Sequence, residues 1–212
     1  ISTIGTVITT VMAAFAFSRI KFPGREVIFT LFLATMMIPG EMMVITNYIT
    51  VTKTAKNVAK TLFGIKNFTG VNSYWALIVP FLISVYYIYL LRQNFKQIPD
   101  ELYYAAKVDG TSDFKYLIKI MIPIAMPTII TITILKLMGS WNAYVWPEMI
   151  TRKQEMKLIS NGLRTSFSDS SGRTNQGYQM AAAFAVTMPL LIAFIFLRKY
   201  LMRGVSRSGI KG

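Results

Sequence analysis

The sequence predicts an all-α protein that crosses a membrane several times, and three observations carry this prediction. Hydrophobic residues make up 53% of the 212 residues and charged residues only 15%, a balance well outside that of soluble globular domains. Several apolar runs approach or exceed the roughly 18 residues that indicate a membrane-spanning helix. Short polar stretches, rich in Lys and Arg, separate these runs. A polytopic membrane protein accounts for all three observations.

The residue types that are missing exclude other classes of protein. The chain has no Cys and no His, so it offers no disulfide, no thiolate metal site and no imidazole base. Its net charge of +14 raises the question of nucleic-acid binding. The basic residues lie at the ends of apolar runs and in the loops between them, however, and we interpret them as a rim that faces anionic lipid. We therefore expect no nucleic-acid partner.

The first two spans are predicted at residues 1–18 and 27–49. The first span ends at a cluster of basic residues, which is typical of a helix that leaves the bilayer. Because the chain begins within this apolar run, without a Met or a basic region, we expect an upstream segment. The second span is interrupted by Pro39, Gly40 and Glu41, and we expect it to bend there.

The other three spans are predicted at residues 74–91, 120–138 and 180–197. Residues 53–72, which carry four Lys, are expected to form a loop or a surface helix before the third span. Residues 95–119 interrupt the apolar pattern with acidic and basic side chains, so they cannot lie in hydrocarbon.

Five spans divide the polar segments between two sides of the membrane. The first side holds residues 19–26, 92–119 and 198–212 with 13 Lys or Arg, and the second side holds 53–73 and 148–178 with nine. The excess of positive charge favours a cytoplasmic first side. We predict one transmembrane domain over residues 1–212, in which 95–119 form a cytoplasmic loop and 198–212 a cytoplasmic tail.

The cytoplasmic loop is expected to contain two short helices. After Pro99, the acidic pair Asp100 and Glu101 favours a helix N-terminus, and Gly110 suits the end of that helix. Exposed short helices of this kind are suited to docking into a groove on another protein.

The same loop resembles the coupling-loop signature of transmembrane subunits of binding-protein-dependent ABC importers. The resemblance rests on Ala105-Ala106-x-x-Asp109-Gly110, followed by Lys119-Ile120-x-x-Pro123. It implies that the loop docks into a cleft on a cytoplasmic ATPase. Tyr104 stands where the family usually has Glu, which puts the usual charged contact in question, although Glu101 lies close by. The implied coupling residues are Glu101, Tyr104, Ala105, Ala106, Asp109 and Gly110.

Other motifs along the chain are similar to carbohydrate permeases of the maltose type, specifically the partner with a C-terminal tail. These motifs are Phe22-Pro23-Gly24-Arg25, Met37-Ile38-Pro39-Gly40-Glu41, Leu91-Arg92-Gln93, Gly139-Ser140-Trp141-Asn142, Trp146-Pro147 and Gly209-Ile210-Lys211-Gly212. The resemblance implies a type I importer permease fold with one more helix before Ile1. It also implies two ATPase subunits, a second homologous permease and an extracytoplasmic binding protein, in a bacterial or archaeal cytoplasmic membrane.

Aromatic and polar residues near the fourth and third spans are candidates for the substrate pathway. Trp141 and Tyr144 can stack on sugar rings while Asn142 hydrogen-bonds hydroxyl groups, but Trp and Tyr also anchor helices at headgroup depth. Tyr86 in the third span can line a polar pathway or can simply pack.

Lys136 lies within the fourth predicted span, about 24 Å from its inner end at 1.5 Å per residue. Glu41 lies about 21 Å along the second span on the same basis. An intramembrane charge is costly and usually faces a partner or a watery cavity. Three interpretations stay open, namely an ion pair with Glu41, a snorkelling lysine and a contact with an acidic saccharide.

The sequence contains neither a G-x-x-x-x-G-K-[ST] phosphate loop nor a G-x-G-x-x-G turn, which are two known means of binding nucleotide. We expect this chain to be no enzyme and to hold no cofactor or metal, with ATP and Mg²⁺ in the partner ATPases. It is expected to carry a sugar or oligosaccharide. The alternatives are a permease of the same architecture for peptides or polyamines and an ion-coupled secondary transporter.

Overall fold

The computed structural model describes residues 1–63, 70–165 and 176–206, and within these ranges all regular secondary structure is helical. The α-helices are α1 (Ser2–Ser18), α2 (Arg25–Thr35), α3 (Met43–Ile49), α4 (Ala55–Phe63), α5 (Tyr74–Ile78), α6 (Val85–Lys96), α7 (Asp100–Val108), α8 (Asp113–Tyr116), α9 (Ile122–Trp141), α10 (Val145–Ile150), α11 (Ile159–Thr165) and α12 (Gln176–Ser206). Three 3-10 turns lie at Gly40–Met42, Val79–Phe81 and Gln154–Met156, and two π turns lie at Thr50–Thr54 and Leu117–Met121.

Fewer helices meet the length and hydropathy of a straight span than the sequence predicts. Two do so within the described residues, at Asp113–Trp141 and Gln176–Phe196. Two bent pairs bring the number to four if each pair is taken as one span, while α1 is apolar but only 17 residues long. The prediction of five spans is therefore not confirmed, because two of the apolar runs are broken and one is short.

The second predicted span bends where the sequence places its Pro and Gly. Arg25–Thr35 and Gly40–Asn57 meet at an angle of 80°. Pro39 lacks an amide hydrogen and disfavours α conformation in the residue before it, so the helix ends ahead of it. Beyond the bend the chain stays helical to Phe63. The described part of the predicted loop or surface helix, residues 53–63, is thus helix.

The third predicted span is not the single helix expected over residues 74–91. The outer half, α5 with its 3-10 turn, ends at Phe81, and the inner half, α6, begins at Val85 after a break of three residues. The two halves meet at 43°. Pro80 removes one backbone donor within the last turn of the outer half, which favours the break.

The core of the bundle forms where α1 packs against α6 and α9. Ala14, Phe15 and Leu91 are buried in it, and so are residues of the loop after α6 such as Ile98. α12 packs against α9 but is otherwise exposed along its described side chains. Its helix continues through Ser206, across the boundary that the sequence predicts between the last span and the tail. The rest of the tail, residues 207–212, lies outside the described residues.

Candidate coupling surface and transport pathway

At one end of the bundle a buried arginine ties α1 to the predicted coupling loop. Arg19, which follows α1 directly, is only 6% exposed. Its guanidinium donates to the carbonyl oxygens of Phe95, at 2.9 Å, and Ile98, and pairs with the carboxylate of Asp100. Arg19 thus binds the end of α6 and the N-terminus of α7 at once.

A second buried arginine joins the same end of the bundle to α2. Arg92 Nη2 lies 2.8 and 2.7 Å from the two carboxylate oxygens of Glu26, and Nε donates to the carbonyl of Phe17 at 3.0 Å. The guanidinium carbon lies 3.9 Å from the ring centroid of Phe29. These contacts place residues 19–26 and 92–119 at the same end of the bundle, as the sequence predicts.

The predicted coupling loop forms two short helices separated at Gly110, as expected from the sequence. α7 ends in a Schellman motif, in which Thr111 N donates to Ala106 O at 2.9 Å and Gly110 N to Lys107 O at 3.0 Å. Gly110 has φ of 70°, the left-handed conformation that this motif requires and that a side chain with a Cβ makes costly.

A polar cluster holds α8 against α7. Tyr103 Oη donates to Asp113 Oδ1 at 2.7 Å, and Lys107 Nζ lies 2.8 Å from the same oxygen. This hydrogen bond to Asp113 raises the pKa of Lys107, while burial and then the same carboxylate raise the pKa of Tyr103. Both groups keep their protons at neutral pH, because a raised pKa loses the proton only in more alkaline solution. Both groups can therefore donate to Asp113 at neutral pH.

The predicted coupling residues divide between two faces of the loop. Ala106 is 7% exposed and packs into the core of the bundle, so it holds the loop to its own chain. The other five are exposed, namely Glu101, Tyr104, Ala105, Asp109 and Gly110. Tyr104, at the position where Glu is usual, has its hydroxyl 3.3 Å from Lys21 Nζ. Exposed apolar side chains flank this face at Leu102, Val108 and Phe114.

Three side chains from neighbouring helices hydrogen-bond the backbone at the break in the third span. Thr6 Oγ1 lies between Phe81 O at 2.8 Å and Ser2 O of its own helix at 2.9 Å, and Thr9 Oγ1 between Leu82 O at 2.5 Å and Thr6 O at 3.0 Å. Lys136 Nζ donates to Phe81 O at 3.2 Å. These donors come from α1 and α9 and replace hydrogen bonds that an unbroken helix would make for itself.

The ion pair between Lys136 and Glu41 is not formed, and that interpretation is corrected. Glu41 lies exposed in the 3-10 turn at the bend of the second span. None of the ion pairs in the described part of the chain includes it or Lys136. The bend of 80° turns the helix that carries Glu41 away from the straight path on which equal depth was predicted.

The candidates for the substrate pathway lie at the outer end of α9 and beside the break. Asn142 is exposed at the C-terminal cap of α9, and Tyr144 is half-buried two residues later. The indole N–H of Trp141 is buried and has no hydrogen-bond partner among the described residues. Tyr86 lies on α6 two residues after the break and is 47% exposed, with its ring against Tyr87.

The second side of the bundle is held together by asparagines that the sequence analysis did not single out. Asn72, with φ of 56°, accepts from the backbone N–H of Arg152 at 2.6 Å and of Lys153 at 3.0 Å. Asn161 is fully buried and donates to Glu148 Oε2 at 2.8 Å. The available signal for Asn72 is that Asn tolerates left-handed backbone better than most residues. These contacts place Asn72 and residues 148–161 at one end of the bundle, as predicted.

Within the described residues the chain is all-helical, with broken apolar segments and a short, exposed helical pair between two of them, and this architecture suits the transmembrane subunit of a transport system. The chain belongs to the family described as "Binding-protein-dependent transport system inner membrane component", whose model matches residues 5–207. That family transports solutes and is not a family of enzymes.

Relatives with assigned transport systems match nearly the whole chain. The sn-glycerol-3-phosphate transport system permease protein UgpE of Yersinia pestis (bv. Antiqua, strain Antiqua) is 27% identical over 206 residues, which cover 97% of this chain and 68% of the relative. The arabinooligosaccharides transport system permease protein AraQ of Bacillus subtilis (strain 168) is 29% identical over 211 residues, which cover 100% of this chain and 69% of the relative. A chain of a bacterial ABC transporter that imports the acidic polysaccharide alginate superposes with a TM-score of 0.69 at 22% identity, covering 94% of this chain and 70% of that one.

Proposed function

We propose that this chain forms half of the translocation pathway of an ATP-driven importer for a sugar or oligosaccharide. The observation that carries the proposal is the exposed helical pair α7 and α8, which projects between two spans and is anchored to the core by Arg19 and Ala106. A loop held so firmly to its own bundle transmits a displacement at its exposed face to the spans. The signature residues of the loop and the family membership support this role.

The proposed partners are a second, homologous permease, two ATPase subunits and an extracytoplasmic solute-binding protein. ATP and Mg²⁺ belong to the ATPases, whose closure would displace the coupling loop and expose the pathway to each side in turn. We place the complex in a bacterial or archaeal cytoplasmic membrane, with five spans of this chain crossing it when α1 and each bent pair are counted.

A saccharide is the favoured solute because the names of the similar proteins refer to arabino-oligosaccharides and alginate. The exposed Asn142 beside Trp141 and Tyr144 fits such a solute, because aromatic faces stack on sugar rings and amides bond hydroxyl groups. The first relative carries sn-glycerol-3-phosphate, so a small phosphorylated polyol is the second candidate. Peptides and polyamines are supported by no such observation.

The experiment is uptake by proteoliposomes that contain the complete complex. Co-purification of this chain with an ATPase, followed by uptake of labelled saccharides that requires ATP and the binding protein, is the expected result. Uptake that proceeds without ATP and stops when an ionophore dissipates ion gradients would establish a secondary transporter instead. Uptake of glycerol phosphate but of no saccharide in the panel would favour the second candidate.

A further inference from the structure

α1 contacts both halves of the broken third span, one at each of its ends. Toward the second side of the bundle, Thr6 and Thr9 donate to the carbonyls of Phe81 and Leu82, at the end of the outer half. At the opposite end Arg19 binds the carbonyls that close the inner half, about 20 Å away at 1.5 Å per residue.

The contact at the outer end is close because α1 has a glycine there. A Cβ added to Gly5 would overlap the side chain of Leu82. Gly5 therefore lets the backbone of α1 approach the break, where the hydroxyl groups of Thr6 and Thr9 reach carbonyls that have no partner within their own helix.

The contact at the inner end includes the coupling helix itself. Arg19 pairs with Asp100, the first residue of α7, as well as with the carbonyls of Phe95 and Ile98. Between the two ends, Val11, Ala14 and Phe15 of α1 are buried in the main core. α1 contains no Pro, the residue that most often kinks a helix.

We propose that α1 acts as a splint across the break in the third span, so that the outer half follows movements of the coupling helix. α6 connects to α7 through the backbone, but the three residues at the break give it no rigid connection to Phe81. α1 supplies that connection, with Arg19, Thr6 and Thr9 as positioning residues, and Lys136 of α9 adds one further hydrogen bond to Phe81 O. This inference rests on the proposed function, since it assigns the route by which that coupling reaches the outer half.

The first test removes the donors at the break. The double change Thr6→Val and Thr9→Val should lower sugar uptake per ATP hydrolysed at least fivefold, with the complex assembled and the ATPase active. The matched control is Thr131→Val with Thr133→Val, whose hydroxyl groups bond carbonyls of their own helix. The control should keep the wild-type ratio. A wild-type ratio in the Thr6 and Thr9 variant would overturn the splint.

The second test introduces a disulfide, since these 212 residues contain no Cys that could form a competing bridge within them. A Cβ at Gly5 lies 3.8 Å from Leu82 Cγ, so the two positions are neighbours, and loss of free thiols on oxidation checks that the pair Gly5→Cys and Leu82→Cys has bridged. Oxidised complexes should keep transport, and the bridge should restore the ratio of uptake to hydrolysis when combined with Thr6→Val and Thr9→Val.

Two outcomes separate failure of the splint from failure of the proposed function. If oxidation stops transport reversibly while ATP hydrolysis continues, α1 and the break must move apart during transport. The proposed role of α1 as a splint is then wrong, while the proposed importer function is retained. If the unmodified complex shows no ATP-dependent uptake at all, the proposed function fails and the splint fails with it.

Discussion

The ammonium group of Lys136 on α9 donates a 3.2 Å hydrogen bond to the carbonyl oxygen of Phe81, the last residue of the outer half of the third span. The C-terminal end of a helix carries partial negative charge, which a lysine stabilises. The ring of Phe81 also lies beneath the ammonium group, with its centroid 5.6 Å away. The partner of the Lys136 ammonium group is therefore the carbonyl at the break in the third span, and not the carboxylate of Glu41.

Lys136→Met should lower the free energy of unfolding by about 1.5 kcal/mol, the lower end for a hydrogen bond to a charged group, because Thr6 still donates to Phe81. Thermal unfolding of the detergent-solubilised complex measures this change. Adding Glu41→Gln should restore nothing, so the two changes should be additive. Uptake of neutral and uronate-containing saccharides should fall equally. A selective loss of uptake of the uronate-containing saccharides would show that the ammonium group contacts the solute.

Gly110→Val should uncouple ATP hydrolysis from uptake. A β-branched residue at φ of 70° costs on the order of 1–2 kcal/mol, which opens the end of α7 and displaces α8. Gly110→Asn should be milder because Asn tolerates this conformation. The measurement is uptake per ATP hydrolysed at equal abundance in the membrane. If the Val variant keeps the wild-type uptake per ATP hydrolysed, this loop is not the coupling element.

Asn142→Ala and Tyr144→Ala should each lower uptake several-fold at normal membrane abundance. Asn142 is exposed beside the aromatic side chains at the outer end of α9, where it can bond a hydroxyl group of the solute. Initial uptake rates across a range of saccharide concentrations measure the effect. Trp146→Phe serves as a comparison, because Trp146 is buried and its indole N–H donates to Ala76 O at 3.1 Å. This variant should lower the stability of the protein. Wild-type uptake by both Ala variants would identify an interfacial anchor.

Glu26→Gln should destabilise the complex more than Arg92→Met. The Arg92 side chain is 4% exposed and would lose its charged partner, at a cost of about 2 kcal/mol, whereas Glu26 is 58% exposed and can be solvated alone. Once Arg92 is Met, the further change of Glu26 should have almost no effect. Melting temperatures of the four combinations test this, with the exposed Glu101→Gln as control. Equal falls in melting temperature for Glu26→Gln and Arg92→Met would contradict the expectation that the buried Arg92 depends on its partner more than Glu26 does.

The membrane class, the approximate places of the apolar runs, the bend at Pro39 and the helical pair around Gly110 follow from the sequence alone. Each depends on local chemistry. Hydrocarbon requires long apolar runs, Pro cannot donate a backbone hydrogen bond, and Gly adopts positive φ without strain. The family signature lies in the same kind of local pattern, because Ala105, Ala106, Asp109 and Gly110 are neighbours in the chain.

Only the tertiary structure decided where the third span breaks and which groups satisfy the carbonyls that the break exposes. Thr6, Thr9 and Lys136 are 75, 73 and 55 residues along the chain from the carbonyls they bind. Nothing in an apolar run shows which of its hydroxyl groups will face a neighbouring helix. The ion pair of Lys136 with Glu41, one of three interpretations that the sequence left open, does not form, since equal depth on straight helices does not imply contact. Side-chain partners across helices depend on bend angles and packing, and those are properties of the folded bundle.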